Sequence, residues 1–338
     1  LAIGILYSCF ALYDLGDRKA PTTTYDMSGE LQAIELEFPE DALPVTMASY
    51  LAPWHQRHFG MDVKSNAEDS WTYLGEIILN NVFTWQDVSL QDLLTQATEN
   101  STSDMSATTR YLRLSLTDND ASLIELVFLD ANGNITRPLN ADAYPTLFDE
   151  SDLYPERYSF RNSMYFDEIY HGRTGYEMLH RMTAYETTHP PLGKDFIMLG
   201  IAIFGMTAFG WRCAGTLFGV MLVPLMWCFA RRLTHKRWAG AMAGALIAAG
   251  FMRFSQSRIA TIDIYGTFFI LLGAYFMVWY CQSVLQNGVN GSLLPMTLGG
   301  VAFGLGCASK WTGIYAGAGL AVLYLSLIHI SEPTRHSL

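Results

Sequence analysis

The second half of the chain limits the possible folds more than any other feature. From Phe196 onward the sequence is mostly apolar, in runs of roughly 15–22 residues, each long enough to cross the ~30 Å hydrocarbon core of a bilayer as a helix. The pattern predicts an α-helical protein that spans the membrane several times.

The predicted membrane segments fall into two groups. Residues 1–13 resemble the second half of a membrane helix, which predicts a truncated first span. After a catalytic external loop with juxtamembrane helices, predicted at 151–211, membrane helices are predicted across 212–324, as the apolar segments 212–230, 238–251, 259–280, 293–309 and 311–325.

The first half is polar and turn-rich. Short runs with period-2 alternation, separated by Gly, Asn and Asp, predict an extracytoplasmic antiparallel β-sandwich within residues 14–150. The polar stretch 92–109 is predicted to be a loop. The net charge of -11 lies mainly in this half and argues against nucleic acid as a partner, because nucleic-acid binding needs a basic face.

Two further observations concern single segments. The five cysteines lie in apolar segments without metal-ligand spacing, so they are predicted to be free packing residues. Residues 325–335, LSLIHISEPTR, resemble the translation of a sequencing adapter. Residues 325–338 are therefore predicted to be a non-native tail.

Charge placement predicts the topology. Four Arg and Lys residues lie between 231 and 237, and such clusters mark cytoplasmic loops. The path through the helices then places 14–211 outside the cytoplasm and predicts a multi-pass protein of the cell membrane. Nine ionisable groups fall near this outer surface: Asp167, Glu168, His189, Lys194, Arg212, Arg253, Arg258, Asp263 and Lys310. Charges beside membrane helices often mark a substrate site, although Arg253 is interpreted as a residue that reaches toward the interface.

The residue types indicate the chemistry of this site. The cations Lys194, Arg212, Arg258 and Lys310 suit the phosphate of a lipid whose tail lies in the bilayer. Asp167 or Glu168 can act as general base toward an acceptor hydroxyl. The combination predicts glycosyl transfer from a lipid-linked phosphosugar, without a metal or cofactor, because fixed cations neutralise the leaving phosphate.

Four motifs resemble, in order, those of the protein O-mannosyltransferase family, a GT-C-type group of polyprenyl-phosphate-sugar-dependent glycosyltransferases. They are YFDEIYHGRTGYEML…THPPLGK, FGWRCAGTLFG, SRIATIDIY and ASKWTGIYAG, between about residues 164 and 322. The resemblance implies a polyprenyl-phosphate-mannose-like donor, a Ser/Thr hydroxyl acceptor, and an active site on the extracytoplasmic side.

The resemblance also implies residue roles. Asp167 matches the family's catalytic acid, with Glu168 assisting, and Arg212 matches an arginine that contacts the donor phosphate. Asp263 and Lys310 match an acidic residue and a lysine of later family motifs. A sandwich placed before the acidic pair looks like bacterial members, and residues 109–134 are similar to the end of galactose-binding-like domains.

The residues leave alternatives open. The acidic pair could cap a helix at 169–182, His189 could only shape a turn instead of contacting substrate, and Arg212 and Lys310 could only reach toward the interface. Asp263 could serve only as an ion-pair partner of Arg258, and the sandwich could bind carbohydrate or act as a spacer. Transfer to a lipid or cell-wall glycan, a lipid-linked sugar transporter and a membrane-anchored carbohydrate sensor are the competing functions.

Overall fold

The computed structural model describes residues 2–28, 33–52, 56–100, 108–287 and 293–331. The chain forms two compact units. One consists of Lys19–Met164, and the other combines Leu1–Arg18 with Tyr165–Leu338.

The first unit contains two antiparallel sheets. The strands are β1 (Tyr25–Ser28), β2 (Ala33–Glu37), β3 (Thr46–Leu51), β4 (Arg57–Lys64), β5 (Thr72–Leu79), β6 (Trp85–Ser89), β7 (Tyr111–Leu116), β8 (Asp120–Leu129) and β9 (Ile135–Thr136). One sheet has the order β1-β8-β3-β6, with β9 beside β8, and the other has the order β2-β7-β4-β5.

Both sheets contribute to one hydrophobic core. In β7, Leu112, Leu114 and Leu116 are buried while the residues between them are half-exposed, as the alternating side-chain direction of a strand requires. Phe59 of the same sheet and Phe128 of the other sheet belong to this core. The antiparallel sheets and their shared core agree in outline with the predicted sandwich.

The prediction of a loop at 92–109 is wrong for its first part. Residues Leu90–Asn100 form helix α2, and residues 101–107 lie outside the described residues. The Ser89 hydroxyl accepts a hydrogen bond from the Asp92 amide at 3.1 Å, as an N-cap does. Leu93 and Leu94 pack on the sheet core, so the apolar positions of a mostly polar segment decide its structure.

The second unit is helical. Its helices are α1 (Ala2–Leu12), α3 (Glu168–Leu179), α4 (Leu192–Phe204), α5 (Ala208–Thr234), α6 (Arg237–Ala249), α7 (Phe251–Ser257), α8 (Asp263–Asn287), α9 (Leu293–Ser309) and α10 (Gly313–Ser331). Two of them are long and apolar enough to cross a membrane, namely α5 and the part of α8 at Asp263–Gln286. Helices α1, α9 and α10 are apolar but shorter.

Helix boundaries differ from the sequence pattern where local signals override hydropathy. The apolar run that starts at Phe196 is interrupted at Gly205, whose φ is +79°, a conformation that favours glycine. Thr207 then caps α5 by accepting from the Gly210 amide at 3.0 Å. Helix α8 begins at Asp263, not at 259, and continues to Asn287, so most of the loop predicted at 281–292 is helical.

All five cysteines are free in the structure, but Cys213 is the buried one and Cys9 is exposed, so the prediction of packing residues holds only in part. The interpretation of residues 325–338 as a non-native tail stays a prediction. Helix α10 continues to Ser331, and residues 332–338 lie outside the described part of the chain.

Candidate active site

The acidic pair lies at the start of α3. Asp167 is the N-cap residue, yet its side chain makes no capping hydrogen bond, which disagrees with a capping role for this carboxylate. The preceding residue, Phe166, has a φ of +50° and a side chain that is 70% exposed. A left-handed backbone at a bulky residue is strained, and such strain is found mainly at functional sites.

The side chain of Glu168, the next residue, is buried and pairs with Arg212 of α5. Arg212 Nε donates to Glu168 Oε1 at 2.7 Å and Nη2 donates to Oε2 at 2.6 Å. Glu168 is 0% and Arg212 1% exposed. The two planar groups therefore meet in a bidentate, fully buried pair.

This pair also binds three neighbouring segments. Glu168 accepts hydrogen bonds from the Ala260 amide at 2.8 Å and from the Tyr165 amide at 2.8 Å. Arg212 Nη1 donates to the Leu15 carbonyl at 3.2 Å. The geometry gives no support to a catalytic role for Glu168 or to a phosphate contact by Arg212, because each group is buried against the other. It favours a positioning role for both.

The THPPLGK turn is organised around Glu186, a residue that the sequence reasoning missed. Lys194, which is 2% exposed, donates from Nζ to Glu186 Oε2 at 2.6 Å and to the His189 carbonyl at 3.1 Å. His189 Nδ1 lies 3.2 Å from Glu186 Oε1. Burial alone would raise the pKa of Glu186, but hydrogen bonds from Lys194, Thr188 and His189 lower it to about 2. Lys194 and His189 therefore both contact Glu186 and hold this turn together.

A second missed residue is His171, one helical turn after Asp167 on α3. Its side chain is buried, and Nδ1 has no hydrogen-bond partner within the described residues. The nearest carboxylate oxygen, Glu186 Oε2, lies 4.0 Å from Nδ1. Burial lowers the pKa of His171, while the negative charges of Glu186 and Asp167 act in the opposite direction. The i,i+4 spacing from Asp167 was the available signal, because it places both on one helix face.

Close packing joins the turn to the later motifs. A Cβ on Gly193 would lie 2.8 Å from Ile262 Cγ2 and 3.4 Å from the Ser309 carbonyl oxygen, so only glycine permits this approach. The Trp311 indole Nε1 donates to the Thr188 carbonyl at 3.0 Å. These contacts bring the THPPLGK turn, the start of α8 and the end of α9 together.

Asp263 and Lys310 form an ion pair at this junction. The alternative that Asp263 pairs with Arg258 is therefore wrong: its partner is the Lys310 ammonium group. The side chains are 52% and 22% exposed, respectively, so this pair is open to solvent, unlike Glu168–Arg212.

Arg258 and Arg253 bind backbone carbonyls. Arg258 Nη2 donates to the carbonyls of Asp14 at 2.6 Å and Tyr13 at 3.0 Å, just beyond α1, where helix carbonyls lack partners. Arg253 donates to the carbonyls of Ile247 and Gly219. Arg253 was left out of the predicted site, and these bonds account for it.

One group of three carboxylates could in principle hold a metal ion, and it lies in the sheet unit. Oxygens of Glu125, Asp149 and Glu150 lie within 4.8 Å of one another. Thr23 and Ser151 already donate to these carboxylates. The cluster is thus accounted for by protein donors.

Comparisons with known proteins agree with the motifs. Residues 202–333 match the family model described as dolichyl-phosphate-mannose-protein mannosyltransferase. The chain is 31% identical over 202 residues to the polyprenol-phosphate-mannose--protein mannosyltransferase of Mycobacterium tuberculosis strain H37Rv. The matched region covers 54% of this chain and 36% of that protein.

Proteins of the same name from two further organisms are also similar. The Mycolicibacterium smegmatis protein is 31% identical over 201 residues, 54% of this chain and 37% of the relative. The Corynebacterium glutamicum protein is 31% identical over 147 residues, 42% of this chain and 28% of the relative. The chain thus spans little more than a third of the length of the Mycobacterium tuberculosis and Mycolicibacterium smegmatis relatives. No solved structure gives a significant match. The resemblance of the motifs is confirmed as a similarity: residues 202–333 match the protein O-mannosyltransferase family model, and these relatives of that name are bacterial.

Proposed function

We propose that the protein is a multi-pass membrane glycosyltransferase of the GT-C type, which transfers mannose from a polyprenyl-phosphate donor to Ser or Thr hydroxyls of secreted proteins. One observation supports this most: the Glu168–Arg212 pair fixes the acidic loop against the start of an apolar helix. A catalytic acid held beside a membrane helix suits a donor whose lipid tail lies in the bilayer and whose sugar lies in water.

The membrane arrangement in this proposal extends beyond the two long helices. Helices α5 and α8 cross the bilayer, α6 returns the chain to the outer side between them, and the shorter apolar helices α1, α9 and α10 complete the membrane part. The basic loop at 231–237 faces the cytoplasm, so the start of α5 and the residues Asp167 and Lys310 lie on the extracytoplasmic side.

Asp167 is the proposed general base. Its carboxylate is half-exposed and free of a helix-capping bond, whereas Glu168 is buried and bonded. Asp167 accepts the proton of the acceptor hydroxyl while that oxygen attacks C1 of the mannose. The bond between C1 and the phosphate oxygen breaks, and the polyprenyl phosphate leaves with the electron pair.

Lys310 is the proposed cation for the departing phosphate. Arg212 is bonded to the buried carboxylate of Glu168, and separating this pair would cost about 3–5 kcal/mol. Lys194 is itself buried and already bonded to the half-buried Glu186. The Lys310–Asp263 pair is partly exposed, and exposed pairs contribute only about 0–1 kcal/mol. A phosphate can therefore replace Asp263 at small cost.

The test of the base is transfer of radiolabelled mannose from polyprenyl-phosphate-mannose to a Ser/Thr-rich peptide, in membranes that carry the protein. Asp167→Asn is expected to reduce the rate by about 10²–10⁴-fold, at an unchanged thermal midpoint. The matched control is Asp152→Asn, at an exposed acid of the sheet unit. Undiminished transfer by Asp167→Asn would overturn the assignment, and labelling of lipid or glycan instead of peptide would move the acceptor to that class.

The test of the phosphate site compares Lys310→Met with Asp263→Asn. Lys310→Met is expected to raise the KM for the donor. Asp263→Asn removes the group that competes with the phosphate, so the KM is expected to stay constant or fall. An Asp263→Asn variant with a donor KM raised as much as that of Lys310→Met would show that the carboxylate itself contributes to binding and would refute the exchange.

A further inference from the structure

A basic pocket lies at the C-terminal end of α5, away from the candidate active site. It has a volume of about 370 Å³ and is lined by Trp227, Cys228, Arg231, Arg232, His235, Tyr275 and Gln282. These residues come from the end of α5, the residue that follows it, and the facing side of α8. Arg212 is near the other end of α5, and the 20 positions that separate it from Arg232 correspond to about 30 Å of helix.

Arg232 is held in a fixed position in this pocket. Its guanidinium carbon lies 4.6 Å from the ring centre of Trp279 and 5.0 Å from that of Tyr275. Nη1 contacts Gln282 Oε1 at 3.4 Å, and the Gln282 amide donates back to the Arg232 carbonyl at 3.0 Å. A cation ordered before its ligand arrives loses little entropy on binding.

The same side chain carries an unused donor. Arg232 Nε is buried and has no hydrogen-bond partner in the part of the chain that the structure describes. A buried N–H without a partner costs about 1–3 kcal/mol, and an oxygen ligand in the pocket would remove this cost.

No acidic side chain of the surrounding sequence compensates these charges. Between Asp195 and Asp263 the sequence contains no Asp or Glu, and after Asp263 the next acidic residue is Glu332. The guanidinium groups of Arg231 and Arg232, which are adjacent in the chain, therefore share one pocket with no carboxylate from α5 or α8. A pocket with two such cations selects an anion.

The surroundings identify the kind of anion. Trp227, Tyr275 and Trp279 beside the pocket are the aromatic residues typical of a membrane interface. Leu233 and Trp238 next to the pocket are 56% and 60% exposed and offer an apolar surface for acyl chains. We propose that the pocket binds the phosphate headgroup of an anionic phospholipid on the cytoplasmic face. The proposal rests on the membrane crossing of α5 and α8 in the proposed function, and basic pockets between such helices bind lipid headgroups.

The test uses the whole protein in nanodiscs of phosphatidylcholine with increasing phosphatidylglycerol, and measures bound phosphatidylglycerol by mass spectrometry. Each pocket arginine is expected to contribute about fivefold in affinity, so Arg232→Gln weakens binding by about that factor and Arg231→Gln/Arg232→Gln by about 25-fold. The matched control is Arg237→Gln, which removes one charge from the same loop outside the pocket and is expected to keep wild-type affinity. Thermal midpoints in pure phosphatidylcholine check that each variant is folded, and Arg232→Lys supplies a folded variant that keeps the charge but loses the forked contacts.

Three results would overturn the proposal. Equal weakening by Arg237→Gln and Arg232→Gln would mean that the lipid follows diffuse surface charge. Displacement of the lipid by millimolar inorganic phosphate would identify a site for soluble phosphate. Unchanged binding by the double variant would exclude the pocket. Because lipid binding is measured without mannosyl transfer, an inactive but lipid-binding protein would refute the proposed function alone.

Discussion

The buried pair of Glu168 and Arg212 gives the sharpest stability prediction, because the two single substitutions leave different groups without partners. Glu168→Ala leaves a buried guanidinium that cannot lose its proton and two backbone amides, of Tyr165 and Ala260, without acceptors. Arg212→Ala leaves a carboxylate that keeps both amide donors and can become neutral by binding a proton.

The magnitudes follow from these differences. Breaking a buried ion pair by removing one partner costs about 3–5 kcal/mol. The buried Ala260 amide adds about 1–3 kcal/mol when it loses its acceptor, and the half-buried Tyr165 amide adds less. We therefore expect Glu168→Ala to cost more than Arg212→Ala by at least about 1 kcal/mol. The double variant removes both charges, so its cost is expected to fall below the sum of the single costs by about 3 kcal/mol.

The assay is reversible unfolding in mixed micelles, followed by tryptophan fluorescence, for the wild type, both single variants and the double variant. The exposed pair Asp263–Lys310 provides the control cycle in the same protein, with an expected coupling of about 1 kcal/mol or less. A coupling between Glu168 and Arg212 no larger than that of the control pair would refute the reasoning. So would Arg212→Lys with wild-type stability and a raised donor KM, because that result belongs to a phosphate ligand.

Three further predictions concern single residues. Gly193→Ala is expected to destabilise the protein by about 1–3 kcal/mol through its clash with Ile262, whereas Gly300→Ala, with open space around the added methyl group, is expected to be neutral or stabilising in the same unfolding assay. Burial holds the pKa of His171 below its unfolded value of about 6.5, so its contribution to stability falls as the pH drops below about 6.5. His171→Gln is therefore expected to flatten the profile of unfolding free energy between pH 7 and 5. A profile identical to that of the wild type would contradict this. Burial raises the pKa of Glu125 to about 8, so stability is lost as the pH rises from about 4.5 to 8. Glu125→Gln is expected to be more stable than the wild type at pH 8, and the difference is expected to shrink toward pH 4.5. Equal unfolding free energies of the two proteins at pH 8 would contradict the prediction.

The sequence predicted the parts of the fold that follow from hydropathy. Helices α5 and α8 correspond to long apolar runs, which hydropathy detects directly. The strands of the sheet unit follow from the alternation of buried and exposed side chains. The helix α2 was missed because its composition is polar and only four leucine and alanine positions hold it to the core. The break at Gly205 was missed because hydropathy does not register a change of backbone direction.

The site was predictable as a set of residues but not as a set of contacts. Topology brought the acidic pair and several cations to one surface, and the structure pairs Glu168 with Arg212 there. Which acid neutralises which cation depends on side-chain reach across helices, so the alternative that pairs Asp263 with Arg258 was wrong. Glu186 was missed for the same reason, because its importance comes from contacts with Lys194 and His189 that no spacing rule encodes.

The three ion pairs of the candidate site, Glu168–Arg212, Glu186–Lys194 and Asp263–Lys310, differ in burial, and this difference indicates different roles. Arg212 cannot bind a phosphate without leaving the buried carboxylate of Glu168 unpaired, and Lys194 is itself buried and bonded to Glu186, so both are suited to hold the loop rigid. A cation whose partner faces water can change partners at little cost, and Lys310 is in that position. In the proposed function, the rigid pairs would hold the acidic loop and the exchangeable Lys310–Asp263 pair would receive the charge of the leaving phosphate. This arrangement suits catalysis by a preorganised site, because donors fixed in advance need no reorganisation when the phosphate leaves.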